Sequence, residues 1–348
     1  MKYKERGLFD EHFRLEKLSK QKDPLIKLKA VINWEQFRPL LNIVFQKEAK
    51  GKGGRPSYDL ILMFKILILQ RYYNLSDDQM EYQILDRLSF MRFLGLNLSD
   101  NVPDSKTVWY FREQLTKFDA TKKLFNAFNE SLQNAGLMAH EGSIIDASFV
   151  EVPRQRNTRE ENKQVKAGIV PELWKKKRNK LRKKDVDARW TKKNNELFFG
   201  YKNHVKGGIK TKFVKNYDVT DACTHDTQAI DSLLDESDTG KDLYADSAYN
   251  TKKVNKQLEE KEITGQLNEK GCKNKKLTDE QIESNRVKSK TRARVEHIFG
   301  FIETNMGGSY IRCIGKKRAT AVIGLMNLTY NMFRGIQIQG SKGISVSI

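Results

Sequence analysis

The segment Ser143-Ile144-Ile145-Asp146-Ala147-Ser148-Phe149-Val150-Glu151-Val152 marks a change in the hydrophobic pattern of the chain. It is rich in β-branched and aromatic residues and is followed by Pro153, which predicts a strand. A second short apolar run, Asp242-Leu243-Tyr244-Ala245-Asp246, also ends on an aspartate. Burying a carboxylate without a partner is costly, so each aspartate needs a cation, a hydrogen-bond network or solvent. If the two meet in a mixed sheet, they offer hard oxygen ligands suited to Mg²⁺ or Mn²⁺.

The segments that follow predict the remaining elements of an α/β domain. Gly207-Gly208 predicts a hairpin turn between two antiparallel strands, and helices alternate with short strands after it. The predicted elements are strands at 198–205, 209–220, 242–246 and 262–266, and helices at 226–234, 252–260 and around 292–303. Strand, hairpin, helix, strand, helix, strand, helix is the order of an RNase H-like mixed sheet flanked by helices.

Glu296, on the last of these helices, is the third candidate carboxylate. Two ions about 3.5–4 Å apart are what in-line displacement at a phosphodiester requires, so the expected cofactor is Mg²⁺ or Mn²⁺, two ions per site. Arg292 lies one predicted helical turn before Glu296 and can contact phosphate or orient the carboxylate. A single aspartate after an apolar run is more often a capping or turn residue. Three acidic residues in this order favour a metal site with Asp146, Asp246 and Glu296 as metal ligands and catalytic residues.

The N-terminal part predicts a different, all-helical organisation. We expect a helical and basic region at 1–54, a helix-turn-helix-like DNA-binding domain at 55–138, and the catalytic domain at 139–340. Ser57, Ser76 and either Asp104 or Ser105 are candidate helix caps. The helix at 106–118 would present Lys106, Trp109 and Arg112 to DNA; alternatively, these residues are the polar and core faces of an ordinary helical bundle. The glycine-rich turn at 51–56 predicts a hinge, with minor-groove contact by Arg55 as a second option.

A polar, basic insertion at 154–195 follows the first strand. Few of its residues are apolar, so it predicts an exposed and partly mobile segment that tracks the DNA backbone, although a charge run can also be merely solvated. Trp174 and Trp190 either anchor this insertion to the core or stack on an unpaired base. Lys202 and His204 are further candidate DNA contacts, with a satisfied structural role as the alternative for His204. The basic candidates in the insertion are Lys175, Lys176, Lys177, Arg178, Arg182, Lys183 and Lys184.

Composition agrees with a polyanionic partner. The chain has 348 residues, with 64 Lys and Arg against 44 Asp and Glu, and a formal charge of +20, which favours nucleic acid first and an anionic membrane surface second. Its three cysteines form no Cys-x-x-Cys pair and the histidines complete no zinc spacing. The N-terminus has no apolar core of a signal peptide, and the apolar run at 60–69 contains Lys65 and is too short to span a bilayer. We expect a bacterial cytoplasmic protein associated with the nucleoid.

Five strings carry a resemblance to bacterial transposases of the insertion-sequence-five family. They are Ile145-Asp146-Ala147-Ser148, Ala188-Arg189-Trp190-Thr191-Lys192-Lys193, Phe199-Gly200-Tyr201-Lys202-Asn203-His204, Ala245-Asp246-Ser247-Ala248-Tyr249 and Arg294-Val295-Glu296-His297-Ile298-Phe299. The resemblance extends over most of the chain and implies an RNase H-like domain with the acidic triad on Asp146, Asp246 and Glu296. It also implies binding to terminal inverted repeats, donor cleavage that exposes a 3′-hydroxyl, and attack of that hydroxyl on target DNA.

The chain departs from the family pattern near the glutamate. Arg292 fits the family's arginine position, but Glu303 stands where a lysine is often seen, and no tyrosine precedes at the expected place. Glu303 is therefore a lesser alternative ligand. The preferred interpretation is a metal-dependent DNA transposase that acts as a homodimer or higher homo-oligomer, because joining two ends requires two end-binding units. The alternatives are a transposase-derived regulator that binds DNA without cutting it, and a nuclease that hydrolyses but never joins strands.

Overall fold

A mixed β-sheet forms the centre of the C-terminal part of the computed structural model, which describes residues 7, 9–21, 23–46, 57–271, 276–342 and 348. The glycine-rich turn at 51–56, with Arg55, and Cys272 lie outside the described residues. The strands are β1 (Ser143–Glu151), β2 (Arg189–Lys193), β3 (Glu196–Gly208), β4 (Val214–Asp221), β5 (Asp242–Ala245) and β6 (Thr264–Leu267).

The strand order confirms the predicted fold class. β1 pairs with β3 in an antiparallel register that sets Asp146 opposite Val205. β3 pairs antiparallel with β4 along its second half and with β2 along its first residues. On its other side β1 pairs in parallel with β5, which pairs in parallel with β6. The four strands β1 to β4, joined by antiparallel pairing, and the two strands β5 and β6, parallel to β1, form the six-stranded RNase H-like mixed sheet. The hairpin turn lies at 209–213, after Gly207 and Gly208, which belong to β3.

Helices surround this sheet and make up the N-terminal part of the chain. Before the sheet lie α1 (Asp10–Lys20), α2 (Pro24–Val31), α3 (Arg38–Phe45), α4 (Leu60–Tyr72), α5 (Asp77–Asp86), α6 (Leu88–Leu94), α7 (Ser105–Lys117) and α8 (Ala120–Asn134). The insertion contains α9 (Arg159–Lys166), α10 (Glu172–Lys176) and α11 (Arg178–Leu181). Then follow α12 (Ile230–Leu233), α13 (Lys252–Glu260), α14 (Asp279–Arg292), α15 (Glu296–Met306) and α16 (Lys316–Lys342). Within the described ranges, none of these helices combines the length and apolar character needed to cross a bilayer.

Capping residues explain where three of the N-terminal helices begin. Asp59, not Ser57, caps α4, because its side chain accepts hydrogen bonds from the backbone of Ile61 and Leu62. Ser76 caps α5 as predicted, in a capping box with Gln79. The cap of α7 is Asp104, whose carboxylate accepts a hydrogen bond from the Thr107 N–H at 2.7 Å.

The long helix α16 joins the helical part to the sheet. It packs against α4, α7 and α8 on one side and against β3 and β4 on another. Its buried Asn331 donates to Asn129 of α8 and to the Val214 carbonyl, both at 2.8 Å. Asn327, also buried, exchanges two 3.1 Å hydrogen bonds with Asn203 of β3. One hydrophobic core therefore runs from the N-terminal helices into the sheet, and the face of β1 that carries Ile145 belongs to a second, smaller core.

The basic insertion is folded around a tryptophan. Trp174 is completely buried, and its Nε1 donates to Glu161 at 2.6 Å, while Lys180 binds the same carboxylate at 2.7 Å. Downstream, Asp185 accepts from the Tyr201 hydroxyl of β3 and from the Gly315 N–H just before α16. Trp174 therefore holds the insertion together from within, since its partners all belong to the insertion, and its anchoring to the core of the domain stays a prediction. The insertion, predicted to be exposed and partly mobile, contains three short helices.

Replacing Trp174 by alanine is expected to open the insertion while leaving the sheet intact. Loss of a buried tryptophan costs about 3–5 kcal/mol, and α9 to α11 have few other apolar contacts to hold them. Trypsin should then cleave at the lysines and arginines of 159–184 several times faster than in the unaltered protein. Trp190→Ala is the matched control, because Trp190 is 36% exposed. Equal cleavage rates for Trp174→Ala and the unaltered protein would contradict this role.

Candidate active site

Asp146 lies in the middle of β1 and is partly buried. Its Oδ1 accepts a hydrogen bond from the Ala147 N–H at 2.8 Å, and its Oδ2 lies 3.6 Å from Nη1 of Arg292. Burial raises the pKa of this carboxyl to about 6, and repulsion from Asp246 acts in the same direction. The Ala147 N–H and Arg292 lower the pKa but do not offset the burial. Asp146 is therefore a carboxylate that a nearby cation would stabilise.

Asp246 directly follows β5, the parallel neighbour of β1. The last residues paired between the two strands are Ile144 and Tyr244, and each aspartate comes two residues later. Adjacent strands lie about 4.8 Å apart, so Asp246 lies beside Asp146 at the point where β5 ends and β1 continues. The Asp246 carboxylate accepts from the Ala248 N–H at 2.8 Å. The structure thus brings together two of the three carboxylates singled out in the sequence.

Glu296 is placed differently from the expected continuous helix. A 3₁₀ turn, Ala293–Val295, separates α14, which ends at Arg292, from α15, which begins at Glu296. Arg292 therefore reaches Asp146, while the Glu296 side chain is exposed. In the part of the chain that the structure describes, no three His, Cys, Asp or Glu side chains gather closely enough to hold a metal ion.

Helix α15 runs along the sheet beside β1. Gly207 makes this approach possible, because a Cβ there would come within 2.7 Å of Ile298 on α15. Farther along the helix, Oε1 of Glu303 accepts from the Ser148 hydroxyl at 3.3 Å. Glu303, which stands in place of the family's lysine, is thus the α15 carboxylate with a direct contact to β1.

Two polar atoms beside the aspartates lack hydrogen-bond partners. The Tyr249 hydroxyl and Nε of Arg292 are both buried and unpaired among the described residues. Burial raises the pKa of Tyr249 well above its usual value, and Asp226, Asp146 and Asp246 add to this effect. Sequence reasoning missed Tyr249, although it follows Asp246 by only three residues. Paired oxygen ligands fit a hydrated Mg²⁺ or Mn²⁺ ion, and a water bound to that ion would donate to the Tyr249 hydroxyl oxygen. The Nε–H of Arg292 is a donor, so it needs an acceptor such as an anionic oxygen.

The candidate DNA contacts on α7 divide into two groups. Lys106 and Trp109 are exposed, and Trp109 retains 47% of its accessible surface. Arg112 is instead bound by Asp77 of α5 through two hydrogen bonds of 2.6 and 2.8 Å, and it also donates to Gln70. Its guanidinium holds α5 to α7, which is the bundle role named as the alternative in the sequence.

Most basic candidates of the insertion are exposed. The exposed ones are Lys175, Lys176, Lys177, Arg178, Arg182 and Lys183. Lys175 pairs with Glu172 at 2.6 Å. Lys184 is half-buried and donates to the Arg156 carbonyl and to Asn157, so it serves the insertion's own structure. Trp190 lies at the sheet edge, 5.0 Å from the ring of Phe199.

Lys202 and His204 have to be withdrawn as DNA contacts. Lys202 is 9% exposed and binds Asp226 at 2.7 Å, and His204 is completely buried with Nε2 2.8 Å from the Thr220 hydroxyl. Burial lowers the pKa of His204 to about 4, so the ring is neutral at pH 7. Both lie in the ten-residue buried part of β3, where no surface is left for DNA.

Comparison with known proteins identifies the family to which this chain belongs. Residues 138–332 match the family model described as "Transposase DDE domain", and residues 13–114 match "Transposase domain (DUF772)". Among solved structures, the chain is similar to a piggyBac transposase in a synaptic complex with hairpin DNA, at 12% identity and a TM-score of 0.45, covering 94% of this chain and 77% of that one. The first match spans more than half of the chain, and the two matches together are the arrangement typical of insertion-sequence-five-like members; this protein belongs to the DDE transposases, a family of metal-dependent DNA-cleaving enzymes.

Proposed function

We propose that the protein binds the terminal inverted repeats of its insertion sequence, cleaves DNA there and joins the ends to target DNA. The observation that supports this most directly is the neighbouring position of Asp146, within β1, and Asp246, just after the parallel strand β5. Asp146 and Asp246 would hold divalent ions, and Glu296 would join them from the start of α15. The ions, Mg²⁺ or Mn²⁺ and two per site, would activate the attacking oxygen and stabilise the leaving one.

The protein's own residues would position the DNA. Arg292 lies beside Asp146 and would contact the phosphate next to the cut bond. The exposed lysines and arginines of the insertion, with Lys106 and Trp109 of the 55–138 helical domain, would bind the rest of the duplex, mainly through its phosphates. Two ends must be held together for joining, so we propose a homodimer or higher homo-oligomer on DNA. The site of action would be the nucleoid, in the bacterial cytoplasm.

A transposase-derived regulator is the second candidate. It is favoured by one observation, the exposed Glu296 outside any described carboxylate cluster. Such a protein would bind the same DNA ends but would not cut them. It has, however, no chemical need for two aspartates held side by side, and this argues for the enzyme.

The two candidates predict different products. Labelled DNA from the ends of the protein's own element should be nicked and joined when Mg²⁺ or Mn²⁺ is supplied, and only bound when EDTA replaces the metal. Binding without cleavage under all metal conditions would favour the regulator. Hydrolysed ends that never join would identify a nuclease.

A further inference from the structure

A large cavity lies away from the aspartate pair, at the junction of three parts of the chain. Its volume is about 1110 Å³. Helices α4, α5 and α7 form one wall, the end of the insertion contributes Arg182, and the segment at 310–314 closes another side. Its lining includes the side chains of Arg71, Trp109, Tyr310 and Arg312.

The charges in this cavity do not balance. Five arginines line it (Arg71, Arg112, Arg182, Arg312 and Arg318), against two acids, Asp77 and Glu113. The two acids bind Arg112 and Arg318 at 2.6 and 2.7 Å. The other three arginines form no ion pair with any described residue. The cavity thus presents about three uncompensated positive charges, which favours an anionic ligand.

Among these arginines, Arg71 gives the strongest indication of a missing anion. Its Nε is buried and makes no hydrogen bond within the described chain. Burial lowers its pKa to about 10, and the positive charge of Arg112 adds to this effect. A buried guanidinium donor that has lost water without gaining an acceptor is costly. An anion in the cavity would supply the missing acceptor.

Two exposed aromatic side chains line the same cavity. Trp109 and Tyr310 keep 47% and 44% of their surface accessible. Arginines that track phosphates beside aromatic rings that stack on bases are the combination that binds single-stranded nucleic acid. Pockets of about 300–1,000 Å³ hold small ligands, so this cavity has room for unpaired nucleotides but not for a duplex.

The cavity also lies near the strand that carries Asp146. Tyr310 forms a parallel bridge with Glu151 at the end of β1, and the Ile311 N–H donates to the Glu151 carbonyl at 2.9 Å. Glu151 is five residues beyond Asp146, or about 17 Å along a strand. A smaller groove of about 310 Å³ borders β1 from Ala147 to Glu151; Phe149, Phe299 and Ser309 line it together with the carboxylates of Glu151 and Glu303. A few nucleotides of an extended single strand would cover this distance.

We propose that this cavity holds unpaired nucleotides of the DNA strand that leads to the Asp146–Asp246 pair, with phosphates on Arg71 and Arg312 and a base against Trp109 or Tyr310. The inference rests on the proposed function, because it takes DNA as the substrate. It adds a single-strand site on the helical side of the molecule, apart from the metal ligands.

Binding of two DNA probes in EDTA tests this site without cleavage. One probe is a duplex with a short thymine overhang, prepared with either a 3′ or a 5′ extension, and the other is the same duplex fully paired. The unaltered protein should bind one of the overhang probes more tightly than the paired one. Tyr310→Ala and Arg312→Gln, both at exposed positions, should each reduce that preference about tenfold. Tyr82→Ala and Arg14→Gln are matched controls, exposed but outside the cavity, and should preserve it.

Several outcomes would overturn the proposal. These are equal weakening of both probes by the cavity variants, loss of the preference in the controls, and absence of any preference in the unaltered protein. Efficient competition by a free thymidine nucleotide would instead identify a small-molecule site. The result is separate from the proposed function, since overhang binding can persist in a protein that never cleaves, and cleavage can persist without overhang preference.

Discussion

Replacing Asp146 or Asp246 by asparagine is expected to reduce metal-dependent cleavage by about a thousandfold or more. Each change keeps the size of the side chain but removes a charged oxygen ligand, so a divalent ion loses half of the paired site. Binding to end DNA should remain largely unchanged, because the exposed basic residues are untouched. Single-turnover cleavage with Mg²⁺ and Mn²⁺, together with binding in EDTA, measures the two properties separately. Cleavage that survives the Asp246 change would refute the site.

The same assay decides which carboxylate of α15 completes the site. Glu296→Gln should abolish cleavage as Asp146→Asn does, whereas Glu303→Gln should retain it. These two residues are matched, since both are exposed glutamates on one helix. The reverse result would assign the third ligand to Glu303, which already contacts Ser148 of β1.

Replacing Lys206 by alanine is expected to lower the free energy of unfolding by about 3–5 kcal/mol. Lys206, on β3, is completely buried, and its Nζ binds Asp235 and Asp238 at 2.6 and 2.7 Å. Asp238 is itself 2% exposed and also accepts from Ser143 of β1. Without Lys206, the carboxylate of Asp238 is left buried and without a cationic partner. Because this cluster joins β1 and β3 to the segment before β5, the loss should also disturb the spacing of Asp146 and Asp246.

Urea unfolding followed by circular dichroism measures this effect. Lys256→Ala is the control, because Lys256 pairs with Glu260 on an exposed face of α13 and such pairs contribute about 0.2–1 kcal/mol. The double change Lys206→Met with Asp238→Asn should recover part of the stability, since it removes the unpaired charge. Equal stability of Lys206→Ala and the unaltered protein would show that the cluster is not structural.

The fold was predictable because most strands carry a local signal. The β-branched residues around Asp146 and the apolar run before Asp246 indicate strands whose side-by-side placement follows from parallel pairing. For Lys202 and His204, in contrast, the prediction from the local sequence was wrong. Polar residues in a strand usually indicate an exposed face, but β3 is buried from Phe199 to Gly208. Their partners, Asp226 and Thr220, come from other segments, and the local sequence carries no sign of this pairing.

Two further structural features could not be predicted from the local sequence. Helix α16 was not predicted, because Asn327, Thr329 and Asn331 interrupt its apolar pattern although all three are completely buried. Their hydrogen-bond partners lie more than a hundred residues away or on the same helix. The break between Arg292 and Glu296 contains neither proline nor glycine, so residue pattern alone predicted a continuous helix there.

Helix α16 also has a consequence for folding during protein synthesis. Tyr72 of α4 stacks on Phe333 at 4.0 Å, and Val31 and Asn33 hydrogen-bond to Ile348. These N-terminal helices therefore depend on partners synthesised about 260 residues or more later. A nascent or prematurely stopped polypeptide lacking 316–348 would expose the apolar surface that α16 covers. Such fragments should be degraded or should aggregate.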